Sequence, residues 1–265
     1  NDLNYNSYQN FLKNGIVSDY NILIKNVNTN SKNSQNYKDH EDSNLLALGQ
    51  YSLSFPLKKT GDLYNKFFTP KISVRYSPNQ TKNINEADRR IDINNIFSLN
   101  RIQSDDAIEG GQSITVSTRY DLKNKENVDI FGINLATVYR DEENEDLPIK
   151  STLGQKSSNI FGNLTYKPNE NLKFDYNFSL DNSLDRSNYD LFKAEISVNN
   201  FINTFEYMEE NEEIGNEGYW INTATLKFDK KNSLLFSKRR NFKTGINEFY
   251  NLIYQYENDC LTAAI

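Results

Sequence analysis

The sequence predicts an all-β chain, an antiparallel transmembrane β-barrel in part, with about a dozen strands of a larger barrel. Three observations carry that prediction. The segment Leu172–Asp181 alternates apolar and polar residues without a break. The same alternation recurs along the chain, with short polar turns and long loops between the segments. Aromatic residues crowd the ends of the apolar faces. Side chains alternate across a strand, so each such segment has one oily face and one wet face. About 9–11 residues suffice for a tilted strand to cross a bilayer.

The segments follow in order. Residues 19–28 alternate weakly. Leu45, Tyr51, Leu53, Phe55 and Leu57 then oppose Gln50, Ser52 and Ser54, and Ile72, Val74 and Tyr76 oppose Lys71, Ser73 and Arg75. Ile114, Val116, Tyr120 and Leu122 oppose Ser113, Thr115, Ser117, Arg119 and Asp121. Phe131, Ile133, Leu135 and Tyr139 form the next oily face, then Ile160, Leu164 and Tyr166. Leu172, Phe174, Tyr176, Phe178 and Leu180 follow and are candidate lipid-facing residues, with Trp220 further on. Phe192, Ala194, Ile196 and Val198 continue the pattern, as do Trp220, Ala224, Leu226 and Phe228, then Tyr250, Leu252, Tyr254 and Tyr256. Residues 201–210 and 233–242 are weaker strands. Leu261–Ile265 reads as the start of another.

Short turns are expected at 122–127, 167–171 and 229–233, and long loops at 29–44, 78–111, 140–157 and 211–217. That asymmetry is a barrel signature. Pro70, Pro78, Pro148 and Pro168 are expected at strand ends or in loops, since proline removes a ladder donor, with Pro56 near the end of its segment. No helix of useful length and no domain boundary show.

Composition narrows the class. Hydrophobic residues make up 37% of the chain, which suits a barrel in which only alternate residues meet lipid. Seventeen Tyr and 16 Phe argue against disorder. A net charge of -6 speaks against a nucleic-acid partner. No run of about 18 apolar residues forms a transmembrane helix. No signal peptide precedes the first segment, so the chain reads as a fragment truncated at both ends.

No catalytic constellation emerges, and no cofactor or metal site is expected. His40 lies among Asp39, Glu41 and Asp42 without a second His or Cys. The acidic run Asp141–Asp146 lacks the spacing of a calcium loop, so loop 140–157 is expected to be solvated, acidic and mobile. Gly154–Ser157 fails as a phosphate loop because Gln155 precedes the lysine. Glu109-Gly110-Gly111 reads as a turn, and Lys238-Arg239-Arg240 as charge at a strand end. Cys260 is the single cysteine, so a disulfide would need another segment.

Several strings go further. Asp92–Arg101 followed by Asp105–Gly111 resembles the "LFSLNRFSGxDRxEGG" block of the LPS-assembly protein family, LptD, in its alphaproteobacterial form. Asn95, Phe97, Leu99, Asn100, Arg101, Glu109, Gly110 and Gly111 carry that block. Tyr51–Leu57 and Thr69–Asn79 are similar to the preceding hairpin, and Tyr139–Pro148 with Ser151–Ser158 to the following loop. Arg239–Gly245 and Tyr250–Cys260 resemble the penultimate region. The likeness runs from about residue 45, and Ser104–Ala107 departs from the family's Gly-x-Asp-Arg.

The resemblance implies an outer-membrane barrel that delivers lipopolysaccharide to the outer leaflet through a lateral gate, without making or breaking a bond. It implies that residues 1–265 are the C-terminal portion of that barrel domain. It also implies an LptE-like lipoprotein in the lumen, an LptA-like periplasmic bridge, and an interdomain disulfide from Cys260. The alternatives are a porin or nutrient-uptake receptor, an outer-membrane hydrolase, or a soluble glycan-binding β protein.

Overall fold

A computed structural model describes residues 1–33, 39–257 and 261–265. Cys260 lies outside the described residues. Among those described, sixteen strands account for nearly all regular structure, with two single turns of 3₁₀ helix at Ile149–Ser151 and Glu212–Ile214. The strands are β1 (Asp2–Asn6), β2 (Asn10–Phe11), β3 (Val17–Thr29), β4 (Asp42–Ser54), β5 (Leu57–Thr60), β6 (Asn65–Ser77), β7 (Gly111–Lys123) and β8 (Asp129–Arg140). They continue as β9 (Ile160–Asn169), β10 (Leu172–Leu180), β11 (Ser187–Val198), β12 (Phe201–Glu210), β13 (Gly218–Lys227), β14 (Asn232–Asn241), β15 (Asn247–Glu257) and β16 (Thr262–Ala264).

The sheet order follows the chain, β1-β3-β4-β6 and onward to β16, with β2 on β3 and β5 on β6. Neighbour-to-neighbour antiparallel pairing is the topology of an up-and-down barrel wall. The weak segments are all strands. Turns of a few residues alternate with the connections 78–110, 141–159, 181–186, 211–217 and 242–246.

Pro70 departs from expectation, since it lies inside β6. Its partner strand is interrupted there. The ladder between β4 and β6 ends at Ser54 opposite Lys71, and Phe55 donates its amide to the Pro70 carbonyl at 3.0 Å. Pro70 has no N–H to return that bond, and the β4 ladder ends beside it.

The chain folds as two compact units. The first comprises Asn1–Lys58, Phe67–Arg119 and Leu135–Phe161; the second comprises Lys59–Lys66, Tyr120–Asn134 and Gly162–Ile265. Neither is one continuous segment, so composition along the chain could not mark a boundary.

In the first unit, register sorts the faces. Ser52 faces Ser73 and Gln50 faces Arg75 on one side; Tyr51 faces Val74 and Leu53 faces Ile72 on the other. The polar side is buried and the apolar side is open. Ser52 and Ser73 are 1–2% exposed, while Ile72, Val74, Tyr76, Ile114 and Val116 are 41–53% exposed. This inverts the rule for a protein folded in water. A bilayer around the apolar side restores the physical sense of the arrangement.

In the second unit, Leu172, Phe174, Tyr176 and Phe178 share one face, opposite Ile196, Ala194, Phe192 and Asp190. Phe174 stacks between Tyr166 and Phe192, each 6.3 Å away. Leu180 sits past a register shift, opposite Ser187. Trp220 lies on the same side of the sheet through its pairing with Tyr207, itself opposite Phe192.

Candidate functional site

The connection 78–110 lies over the polar face of the first unit. Its sequence is too apolar for a solvated loop. Ile91, Ile96, Ile102 and Ala107 join Ala136 and Val138 of β8, Leu147 and Leu153 of the next loop, and Phe161 of β9 in one buried cluster. A second cluster sets Ile108 on Leu23 of β3 and Leu48 of β4. Each fully buried aliphatic side chain contributes about 1.5–3 kcal/mol. Local turns shape the loop between these contacts. The Asp92 carboxylate accepts the Asn94 and Asn95 amides at 2.7 and 3.0 Å, and Asn95 donates to the Arg90 carbonyl.

Charge then fixes it. Glu109, Arg101, Arg75 of β6 and Arg140 of β8 meet with their side chains 0–2% exposed. Arg101 grips Glu109 in a fork, Nε to Oε2 at 2.7 Å and Nη2 to Oε1 at 2.5 Å. Its other donors go to the Ile96 carbonyl, Thr115 and Ser113, so the whole guanidinium is satisfied. Arg140 reaches Glu109 at 2.7 Å and also donates to the Gly110 carbonyl. Arg75 reaches Glu109 at 3.3 Å, Gln50 at 2.6 Å, and the carbonyls of Leu99 and Ser98.

Burial pushes the Glu109 carboxyl up. The charges of Arg101, Arg75 and Arg140, with the Arg101 hydrogen bond, outweigh burial and hold it well below the usual carboxylate range. A carboxylate so engaged cannot serve as a general base. It is an anchor. Three guanidiniums on one carboxylate leave excess positive charge, which the backbone carbonyls of Ser98, Leu99 and Gly110 partly offset.

The glycines have steric causes. A Cβ on Gly110 would stand 2.3 Å from the Asn79 carbonyl oxygen and 3.0 Å from the Thr81 nitrogen. Gly111 has φ +80°, in the left-handed region that favours glycine. Lys25 of β3 adds another tie. It is 1% exposed and donates to the carbonyls of Ser104 and Asp105 at 2.7 and 3.2 Å, with Asp2 at 3.1 Å. Asn100 donates to the Ser104 carbonyl, and Lys71 sits 4.1 Å from the Phe97 ring centroid. The motif block is therefore one structural object, a strut between the strands.

The family model for LPS transport system D, LptD, matches residues 13–232. The chain belongs to the LPS transport system D family. It is an outer-membrane protein of lipopolysaccharide transport and assembly, its cargo is lipopolysaccharide, and it works within the Lpt machinery. Membership in LptD decides against the porin and receptor readings, and the family is one of transport and assembly. The match starts at residue 13, earlier than residue 45, so β3 and the start of β4 belong to the family pattern too, while β1 and β2 precede it. It ends before Arg239–Gly245 and Tyr250–Cys260. A comparison with curated proteins gives no match.

Asn95, Phe97, Leu99, Asn100, Arg101, Glu109, Gly110 and Gly111 are brought together in the first unit. Leu172, Phe174, Tyr176 and Phe178 form a row in the second. Residue-by-residue reading missed Arg75, which looked like an ordinary polar-face position, and Arg140, which fell in the expected loop 140–157, and took Glu109 for part of a turn. The eight Ile, Leu and Phe residues between Ile84 and Ile108 were the available signal.

Loop 140–157 also departs from expectation. Its acidic side chains at 141–143 and 145 are exposed, but Leu147, Ser151, Thr152 and Leu153 are 0–2% exposed. Asn144 donates its amide to the Gly154 carbonyl at 2.8 Å and its side chain to Thr81 at 2.9 Å. The loop is anchored through these residues, while those acidic side chains, together with Ile149, Gln155 and Lys156, are exposed.

Proposed function

We propose that residues 1–265 form the C-terminal portion of the barrel domain, with the apolar strand faces against lipid and the polar faces lining a lumen. In this reading Leu172, Phe174, Tyr176, Phe178, Leu180 and Trp220 are lipid-facing. The lumen holds an LptE-like lipoprotein, and lipopolysaccharide arrives through an LptA-like periplasmic bridge. It leaves by a lateral gate without any covalent change, so the protein is a conduit and not an enzyme. Cys260 tethers the barrel to a periplasmic domain through a disulfide.

The polar face of the second unit carries this reading. It is a lattice of partly exposed charge pairs: Lys173 with Asp175 at 2.7 Å and Lys193 with Glu206 at 2.8 Å. Tyr219 joins through its hydroxyl to Glu206 at 3.0 Å. These groups form a wet, hydrogen-bonding surface suited to a sugar chain or a polar protein plug. Photo-reactive residues tell the faces apart. At Lys193 or Thr204 they are expected to cross-link the lipoprotein in cells; at Phe174 or Ile196 they are not. Lipoprotein adducts from Phe174 or Ile196 alone would reverse the faces.

A further inference from the structure

We propose that Lys238 and Arg240, framed by Trp220 and Tyr250, bind the phosphate groups of a phosphorylated glycolipid in the outer leaflet, on the outer wall of the protein. The proposal rests on the assignment of the apolar faces to lipid.

Strand β14 carries three basic residues in a row, and alternation splits them. Arg239 points to the polar face. There it stacks over the Tyr219 ring, 3.9 Å from its centroid, and pairs with Glu248 at 2.6 Å. Lys238 and Arg240 point the other way, onto a face that includes Leu234, Phe236 and Leu226. Neither has an acidic partner among the described residues. Lys238 Nζ lies 5.1 Å from the Trp220 ring centroid and 5.2 Å from that of Tyr250. Arg240 is exposed and stands opposite Trp220 in register.

Nearby acids on this face are already engaged. Glu209 takes Lys243 at 2.7 Å and the Tyr207 hydroxyl at 2.5 Å, and Asp190 accepts the Tyr176 hydroxyl. Two cations therefore stay uncompensated on an apolar surface, which is costly inside hydrocarbon.

Their height resolves the cost. β14 starts after the tight turn 228–231 and ends at the longer connection 242–246. Lys238 and Arg240 sit toward its far end. Longer connections mark the cell-surface side of such barrels, and aromatic girdles mark the interfaces. At that level the anionic groups are lipid phosphates. A guanidinium presents a fork that fits a phosphate, and a lysine on a long stem reaches to it.

Trp220, the single tryptophan of the chain, reports on the site. The chain is reconstituted in vesicles of brominated phosphatidylcholine, whose bromines quench a lipid-facing tryptophan. Unbrominated bis-phosphorylated lipid A is then titrated in, with its dephosphorylated form and inorganic phosphate as controls. The expected result is strong initial quenching, relieved by the phosphorylated lipid at lower mole fraction than by the dephosphorylated one, with no effect of free phosphate. Lys238→Gln and Arg240→Gln should each weaken that preference by about fivefold and leave quenching by phosphatidylcholine unchanged. Equal displacement by both lipids, or an undiminished preference in the double variant, overturns the site. Absence of quenching by brominated phosphatidylcholine overturns the lipid face itself, and the site with it.

Discussion

Ser52, Ser73, Arg75, Ser113 and Thr115, on the polar face of the first unit, are 1–3% exposed. Lys173 and Lys193, on the polar face of the second, keep 48% and 49% of their side-chain surface. Both faces are built by the same alternation. They differ in what lies on them: loop 78–110 covers the first, and no loop of comparable length lies among the connections of the second. One chain thus makes a rigid, filled wall segment and an open, hydrated one. Strand pattern sets which side is polar, and loop content decides whether that side is a core or a surface.

The largest test of this contrast is the anchor. Glu109→Gln removes the carboxylate that three buried guanidiniums share. Removing one partner of such a set costs about 3–5 kcal/mol. Protease cleavage within 78–110 should rise sharply, while cleavage in the second unit stays unchanged. The same group gives the first unit a pH dependence. The Glu109 carboxyl is depressed from its ordinary value of 4.5, so its stabilisation is fully present above that value. It is lost as the pH falls below 4.5 toward the depressed value. Acid titration of protease resistance should show this loss in the parent chain and not in Glu109→Gln.

Arginine substitutions come next. On the apolar faces, Val74→Arg and Tyr176→Arg should both destabilise by about 2–4 kcal/mol near mid-depth. On the polar faces the units should part. Ser73→Arg forces a long cation into a filled, 2%-exposed position and should be damaging. Asn177→Arg enters a hydrated face and should be tolerated. Denaturant unfolding in detergent measures all four, and equal damage from Tyr176→Arg and Asn177→Arg would remove the distinction of faces in the second unit.

A backbone test is smaller. Gly110→Ala places a methyl group against the Asn79 carbonyl and the Thr81 amide, neither of which can swing aside. Overpacking of this kind costs about 1–3 kcal/mol. Unfolding midpoints should show it, with the damage again confined to the first unit.

The period-two pattern made the strands, their faces and the turn asymmetry readable, because in a membrane wall each residue's polarity reports its side directly. Even the weakly alternating segments 19–28, 201–210 and 233–242 are strands, although Lys238 and Arg240 break the pattern on β14. Pro70 misled because the point where a partner ladder ends, here Ser54 opposite Lys71, is a pairing fact and not a property of the local sequence. The ion cluster was hidden for a similar reason. Arg75 and Arg140 lie far in sequence from Arg101 and Glu109, and only the fold of loop 78–110 brings the three guanidiniums within 3.3 Å of the Glu109 carboxylate. The family block pointed to Arg101 and Glu109 without giving their physical task.

The smallest effect belongs to the acidic run, which tests whether a loop's solvated residues can be separated from its anchored ones. Asp141, Glu142, Glu143 and Glu145 are exposed, and replacing them together with Ser should change stability by no more than about 0.5 kcal/mol per site. Asn144 sits among them, and its side chain reaches Thr81, which in turn accepts the Gly110 amide at 2.9 Å. The same side chain accepts the Asp146 amide at 3.2 Å, so Asn144→Ala loses two hydrogen bonds and should cost about 1–2 kcal/mol. It should also loosen the Gly110 end of the covering loop in hydrogen exchange. The fourfold Ser variant should leave exchange in 78–110 and lipopolysaccharide delivery unaltered. If it slowed delivery with exchange unchanged, the exposed carboxylates would have a direct task at the cell surface, and the loop could not be divided into an anchor and a solvated fringe.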